Sequence, residues 1–172
     1  MTDFHKAVIS VIGLKVVGLA KTLGFTKKGP RVIGIDIDEV ANINKEQPMK
    51  LLQLLKKHTP SLKGKTIGIL GLAFKPDTDD VRGSKAIEIV QELLKLGARV
   101  ITYDPKAMPN FMKVFSREIE YSSPEIVLKS DAALILTAWD EFNNFDYTKL
   151  IVIDGRYIIK AKEARVYEGI CW

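Results

Sequence analysis

The chain has 172 residues, 47% hydrophobic and 27% charged, with one cysteine, a formal net charge of +5 and a pI near 9.2. That composition suits a globular protein with a real core, and the lone Cys171 excludes an internal disulfide and fits a reducing cytoplasm. No apolar run reaches the ~20 residues of a membrane helix, "MTDFHKAVIS" lacks the apolar centre of a signal peptide, and the scattered lysines and arginines form no aromatic-laced stripe for nucleic acid.

In chain order, residues 7–12, "AVISVI", form a short apolar run ending at Gly13 and predict a buried parallel strand. A helix is expected from about Val16 to Lys28, stopped by Lys27, Lys28 and Gly29, and "RVIGIDID" then reads as a second strand. The stretch "VIGLKVVGLA", Val11–Ala20, nearly spells the turn that carries a dinucleotide pyrophosphate. Gly13 and Gly18 stand in place, but Lys15 occupies the position of the middle glycine, whose missing side chain lets the backbone approach the phosphates. Asp36, ending the second strand, sits where an acid binds the ribose. Residues 39–47 are polar and no third strand follows, so a single βαβ unit is expected here.

From Pro48 the leucines of "PMKLLQLLKKH" predict a helix to about His58, broken by "TPSLKGK". A longer alternation follows. "TIGIL" reads as a strand, Ser84 to Leu96 as a helix stopped by Gly97, "RVITYD" as a strand and "IEYS" as a short one. Ser123-Pro124-Glu125 is an N-cap with proline at the first helical position. "AALILTAW" and "LIVIDG" are further strands. Strands alternating with helices predict an α/β fold, a Rossmann-like parallel sheet with helices on both faces, preceded by a truncated βαβ stub.

Between "TIGILG" and the helix at Ser84 lies "LAFKPDTDDVRG", twelve residues where strand-to-helix loops usually run ~2–6. Ligands of open α/β sheets bind beyond the carboxyl ends of the strands, where this loop emerges. Lys75 and Arg82 can hold phosphate or carboxylate, Phe74 offers a flat apolar surface, and Asp77, Asp79 and Asp80 can orient both cations. A surface loop pinned by its own Asp–Arg pairs is the competing reading.

"GLAFKPDTDDVRGSKAIEIVQELLKLGARVITYDP", with "LTAWDEF" and "VIDGRY", resembles the C-terminal domain of the UDP-glucose/GDP-mannose dehydrogenase family, over about Asn44 to Trp172. "ISVIGLKVVGLAKTLGFTKKGPRVIGIDIDE" resembles the opening βαβ of the same family's NAD-binding domain. The resemblance implies an enzyme lineage that oxidises the 6-hydroxymethyl of a nucleotide sugar twice with NAD. It implies that Phe74, Lys75 and Arg156 contact the nucleotide sugar, and that Arg82, Gly13, Gly18 and Asp36 correspond to NAD contacts.

In that family a catalytic cysteine lies in a glycine-rich segment between the two matched pieces, together with a catalytic lysine. Here the sequence jumps from one piece to the other near residues 39–44, and Cys171 has none of that context. The expectation is therefore residues 1–41 as a remnant of the NAD-binding domain, its cofactor contacts vestigial, and residues 42–172 as a UDP-sugar-binding domain. No catalytic residue and no metal site is expected: His5 and His58 read as surface histidines, and Asp79–Asp80 as ion-pairing partners. Asp104 of "TYDP" reads as a turn former, with a ribose contact as the Rossmann-like alternative. Three functional classes stay open: a binding module inactive alone, a subunit completed by another chain, and an assembly protein. The apolar residues Val11, Ile12, Val32, Ile33 and Ile35 of the stub predict a homodimer, since two paired strands cannot bury them.

Overall fold

The computed structural model describes residues 8–12, 31–35 and 37–170, with side chains from residue 48 to residue 170. The chain divides into two compact units, Met1–Gln47 and Pro48–Trp172. In the first, β1 (Val8–Ile12) pairs in parallel with β2 (Arg31–Ile35), Val8 opposite Arg31 through to Ile12 opposite Ile35. The two expected strands are present. The expected helix between them, Gly13, Lys15, Gly18, Asp36, His5 and Cys171 lie outside the described residues.

Helix α1 runs Ile37–His58, so it starts well before Pro48, where the apolar pattern begins. Its first turns hold Ile37, Val40, Ala41 and Ile43, a short helical spacing set among the polar residues of "EVANINKEQ", and Asp38 and Glu39 are acids that suit the positive N-terminal end of a helix. Pro48 lies inside and has no N–H to offer the carbonyl four residues earlier. Leu51, Leu52 and Leu55 are buried.

The second unit is a six-stranded parallel sheet: β3 (Thr66–Leu70), β4 (Arg99–Tyr103), β5 (Glu120–Tyr121), β6 (Ala132–Ile135), β7 (Ile151–Asp154) and β8 (Val166–Gly169). Their spatial order is β5-β4-β3-β6-β7-β8. Counted from β3, this is the 3-2-1-4-5-6 order of doubly wound dinucleotide folds, reversing direction between β3 and β6. Ile67, Ile69, Leu70 and all of "AALI" are fully buried, as strands covered on both faces require. The core forms around them, with the buried stripe Ala86, Ile89, Val90 and Leu93 of α2 (Lys85–Lys95). Ser84 caps α2 by accepting the Ala86 N–H, and Gly97, at φ 76°, takes the left-handed turn after it. Two short helices complete the unit, α3 (Met108–Phe111) and α4 (Pro124–Val127). Pro124 opens α4 after Ser123, as its sequence predicts.

Two differences from the expected elements bear on function. "AALILTAW" leaves the sheet after Ile135: the Leu136 N–H still reaches the Leu70 carbonyl, but the Trp139 N–H closes on the Thr137 carbonyl, and the side chains of Thr137 and Trp139 bond neighbouring strand ends. The edge strand β8 was not expected: "VYEG" is half-buried at every position and shows no alternation.

Candidate nucleotide-binding site at the carboxyl ends of the strands

The crevice at the point of reversal is shaped by two buried aspartates that follow strands. Asp104, after β4, is fully buried. Its Oδ2 accepts the N–H groups of Leu72 (2.7 Å) and Ala73 (3.0 Å) and the indole Nε1–H of Trp139 (3.0 Å). Its Oδ1 accepts the N–H groups of Lys106 (2.9 Å) and Ala107 (2.7 Å). One carboxylate thus joins the ends of β3, β4 and β6. Both oxygens are committed inside the protein, which rules out the ribose contact weighed for Asp104 in this conformation.

Across the same seam, Thr137 donates its hydroxyl to the Ala73 carbonyl at 2.6 Å. Gly71, at φ 93°, lets the chain turn there; a Cβ would lie 2.6 Å from the Thr137 backbone nitrogen. Only glycine meets both demands.

Asp154 ends β7 and is also fully buried. It accepts the N–H of Arg156 (2.7 Å), the N–H of Ile158 (2.6 Å) and the Tyr167 hydroxyl (3.1 Å). Burial pushes its carboxyl above the ordinary carboxylate value, while these donors pull the other way. Arg156 is exposed, but its Nε donates to the Leu136 carbonyl at 2.6 Å, which fixes the guanidinium plane at the end of β6. Tyr157, next in the chain, holds φ 62°, an unusual backbone for a bulky residue. Lys162 donates to its hydroxyl at 2.9 Å and lies 4.1 Å above its ring. An open groove of about 500 Å³, lined by Tyr157, Lys162, Tyr167, Glu168 and Gly169, flanks this turn.

The long loop docks onto the segment after β4. Asn110 donates Nδ2 to the Asp79 carbonyl (3.0 Å) and carboxylate (2.9 Å), and Lys106 lies 4.0 Å from Asp77. Phe74 donates its N–H to the Asp80 carbonyl at 2.8 Å, closing the loop on itself, while its ring stays 56% exposed.

The two cations of the loop differ. Arg82 grips Asp80 through Nε and Nη2, at 2.8–3.2 Å, and its guanidinium and backbone N–H bring the Asp80 carboxyl down to about 2. Lys75 is exposed and makes no hydrogen bond or ion pair among the described residues. Of the three acids, Asp80 alone orients Arg82, and among the described residues none pairs with Lys75, contrary to the expectation that they serve both. Among the described residues no group of three or more histidine, cysteine, aspartate or glutamate side chains is gathered for a metal ion. His58 is half-buried against Glu168 at 2.9 Å. No helix among the described residues is long and apolar enough to cross a membrane.

Phe74, Lys75 and Arg156, separated by some eighty positions, all emerge from strand ends beside the reversal point. Sequence reasoning missed the parts that hold them there: Asp104 as a clamp, Asp154, Thr137 and Trp139. The one local signal is an aspartate directly after a strand and before Pro or Gly, in "YDP" and "IDG".

A parallel sheet of this order, with its crevice at the strand reversal, defines a Rossmann-like nucleotide-binding domain. The chain belongs to the UDP-glucose/GDP-mannose dehydrogenase family, whose UDP binding domain matches residues 68–161. It is 40% identical to the UDP-glucose 6-dehydrogenase AglM of Haloferax volcanii over 162 residues, covering 90% of this chain and 36% of that protein. It is 36% identical to the UDP-glucose 6-dehydrogenase TuaD of Bacillus subtilis, covering 74% of this chain and 30% of the relative. A UDP-glucose dehydrogenase structure from the archaeon Pyrobaculum islandicum superposes with a TM-score of 0.75 at 36% identity, over 92% of this chain and 36% of that one. The chain thus spans about a third of the length of these relatives.

Proposed function

We propose that residues 42–172 form a nucleotide-sugar-binding module of the UDP-sugar type, with Phe74, Lys75 and Arg156 as its ligand contacts, and that the chain is inactive as a dehydrogenase by itself. The observation that carries this reading is the convergence at the strand reversal. Lys75, an unpaired cation, and Arg156, a guanidinium pre-aimed by Leu136, extend from segments fixed by buried aspartates. A planar fork and a compact ammonium together suit a diphosphate.

NAD chemistry finds less support. A lysine stands at position 15 where the fingerprint has the glycine that lets the backbone approach a pyrophosphate, and the βαβ unit covers only the opening of a dinucleotide-binding domain. In the second unit Arg82, the family's cofactor contact, is bound to Asp80. Residues 1–41 are read as a remnant whose Gly13, Gly18 and Asp36 are vestigial, and no step through NAD is assigned to this chain. A second reading, a subunit that completes a UDP-glucose dehydrogenase with another chain, draws on the third of the relatives' length that this chain spans.

Calorimetric titration with UDP, UDP-glucose, GDP-mannose and NAD tests the module. UDP or a UDP-sugar should bind weakly, and Lys75→Ala or Arg156→Ala should each cost about 1.5–3 kcal/mol. Equal affinity in wild type and both variants would place the site elsewhere. No NAD reduction is expected with any nucleotide sugar; turnover abolished by Cys171→Ser would overturn the inactive reading. A homodimer is proposed through the parallel pair β1–β2, which is too small a sheet to be stable alone. Sedimentation of the full chain and of one beginning at Asn44 decides this: a monomeric full chain, or a shortened chain that dimerises equally well, sinks it.

A further inference from the structure

We propose that Asp104 is the positioning residue of the nucleotide loop, setting the height and direction from which Phe74 and Lys75 approach a bound diphosphate. This inference rests on the nucleotide-binding reading above and extends it to a residue that touches no ligand. Three observations carry it. First, the loop's entry is fixed by Asp104 alone among side-chain acceptors: the Leu72 and Ala73 N–H groups both point at Oδ2, immediately before Phe74-Lys75. Secondly, the other oxygen holds Lys106 and Ala107, and so secures the same segment on which the loop's later residues rest, through Lys106 to Asp77 and Asn110 to Asp79. Thirdly, Trp139 and Thr137 bring in the far side of the reversal point, one bonding Asp104 and the other the Ala73 carbonyl. Asp104 therefore ties the loop's entry to the segment its middle residues rest on, and Lys75 has no hydrogen bond or ion pair among the described residues to hold it in place. The β7 side has its own aspartate, since the N–H of Arg156 belongs to Asp154, and only Arg156 Nε reaches across, to the Leu136 carbonyl.

Asp104→Asn keeps the shape but turns an amine toward N–H donors at one of the two positions, leaving at least two of them without an acceptor. UDP affinity, measured well below the melting temperature on the full chain, should fall about tenfold. A stability loss alone would also follow from a purely structural role, so the deciding readout is a double-mutant cycle. If Asp104 acts through the loop, Asp104→Asn combined with Lys75→Ala should bind UDP little worse than either single variant. Combined with Arg156→Ala, the losses should multiply, to about a hundredfold. Thr137→Val, which removes only the bond to Ala73, provides the same cycle if Asp104→Asn does not fold, with a loss of about threefold. Multiplying losses with Lys75→Ala, or undiminished UDP affinity in folded Asp104→Asn, overturn the positioning role while the binding site stands. A wild-type chain that binds no UDP overturns the nucleotide reading and this inference with it.

Discussion

On the β3 side of the crevice, a buried aspartate following a neighbouring strand grips the backbone of the loop and leaves the proposed ligand cation, Lys75, without a partner among the described residues. On the β7 side, the aspartate grips the N–H of the cation-bearing residue, and the Arg156 guanidinium is additionally held at Nε by the Leu136 carbonyl. The difference is one of where freedom remains. Lys75 keeps its rotamers in the free protein, and on the proposed reading would lose up to ~2 kcal/mol of side-chain entropy on binding. Arg156 has already lost much of it during folding, and on the same reading would meet an anion as a fork held at Nε. If the proposed site binds a diphosphate, one side is suited to capture and the other to orientation.

The sharpest way to break this comparison is to change the two glycines on which the sides turn. Gly71→Ala places a Cβ 2.6 Å from the Thr137 backbone and Cβ at φ 93°, where an L-residue is strained. A loss of about 3 kcal/mol or more in urea unfolding is expected, together with loss of UDP binding. Gly155→Ala meets the Ile135 carbonyl at 3.2 Å and a movable Leu51 methyl at 3.3 Å. It should cost only about 1 kcal/mol. Equal costs would show that the β3 side is no more rigid than the β7 side.

Asp154→Asn comes next, at about 1–3 kcal/mol near neutral pH from mismatched N–H groups. Its pH signature has a definite sign. Burial raises the folded-state value above the ordinary 3.8 of the unfolded chain. Between those two values the native state holds more protons, so this group's contribution to stability declines as pH rises through the window. Removing the carboxyl removes that opposing slope, and stability of the variant should climb more steeply with pH than that of wild type just above pH 3.8. Parallel curves would mean that the donors around Asp154, rather than burial, decide its charge.

These partnerships explain how far the chain could be read without coordinates. The strands were legible because "TIGIL", "RVITY" and "IVID" are apolar runs bounded by Gly, Asp or Lys, and α2 because Ser84 and Gly97 punctuate a regular buried stripe. The ligand loop was legible from its length and its place after the first strand of the unit. What local pattern does not contain is pairing over long separations. Asp104 meets Leu72 and Trp139 more than thirty positions away on either side, and Thr137 meets Ala73 across sixty-four. Lys75 and Arg82 look alike in "FKPDTDDVRG", and their different fates depend on which aspartate folds back onto which cation. The start of helix α1 was missed for a different reason: in its first turns Ile37, Val40, Ala41 and Ile43 are outnumbered by polar residues, and a proline sits where a start would be expected.

The smallest expected effect comes from separating the two cations of the loop. Arg82 and Asp80 are exposed, so their bond contributes little to stability, and Arg82→Ala should leave the melting temperature unchanged within error. Its mark is electrostatic. Asp80 is held down to about 2 by the Arg82 side chain and N–H, so what it contributes is present above its ordinary 3.8 and is lost as pH falls through about 2. A carboxyl-carbon NMR titration of wild type should place the Asp80 midpoint near 2, and Arg82→Ala should move it back toward 3.8. The same variant should weaken UDP binding less than about twofold, against about tenfold or more for Lys75→Ala, because a guanidinium already spent on a neighbouring carboxylate has little left for a ligand. If Arg82→Ala proves as damaging to UDP binding as Lys75→Ala, the pair opens on binding, and both cations of the loop belong to the capture side of the crevice.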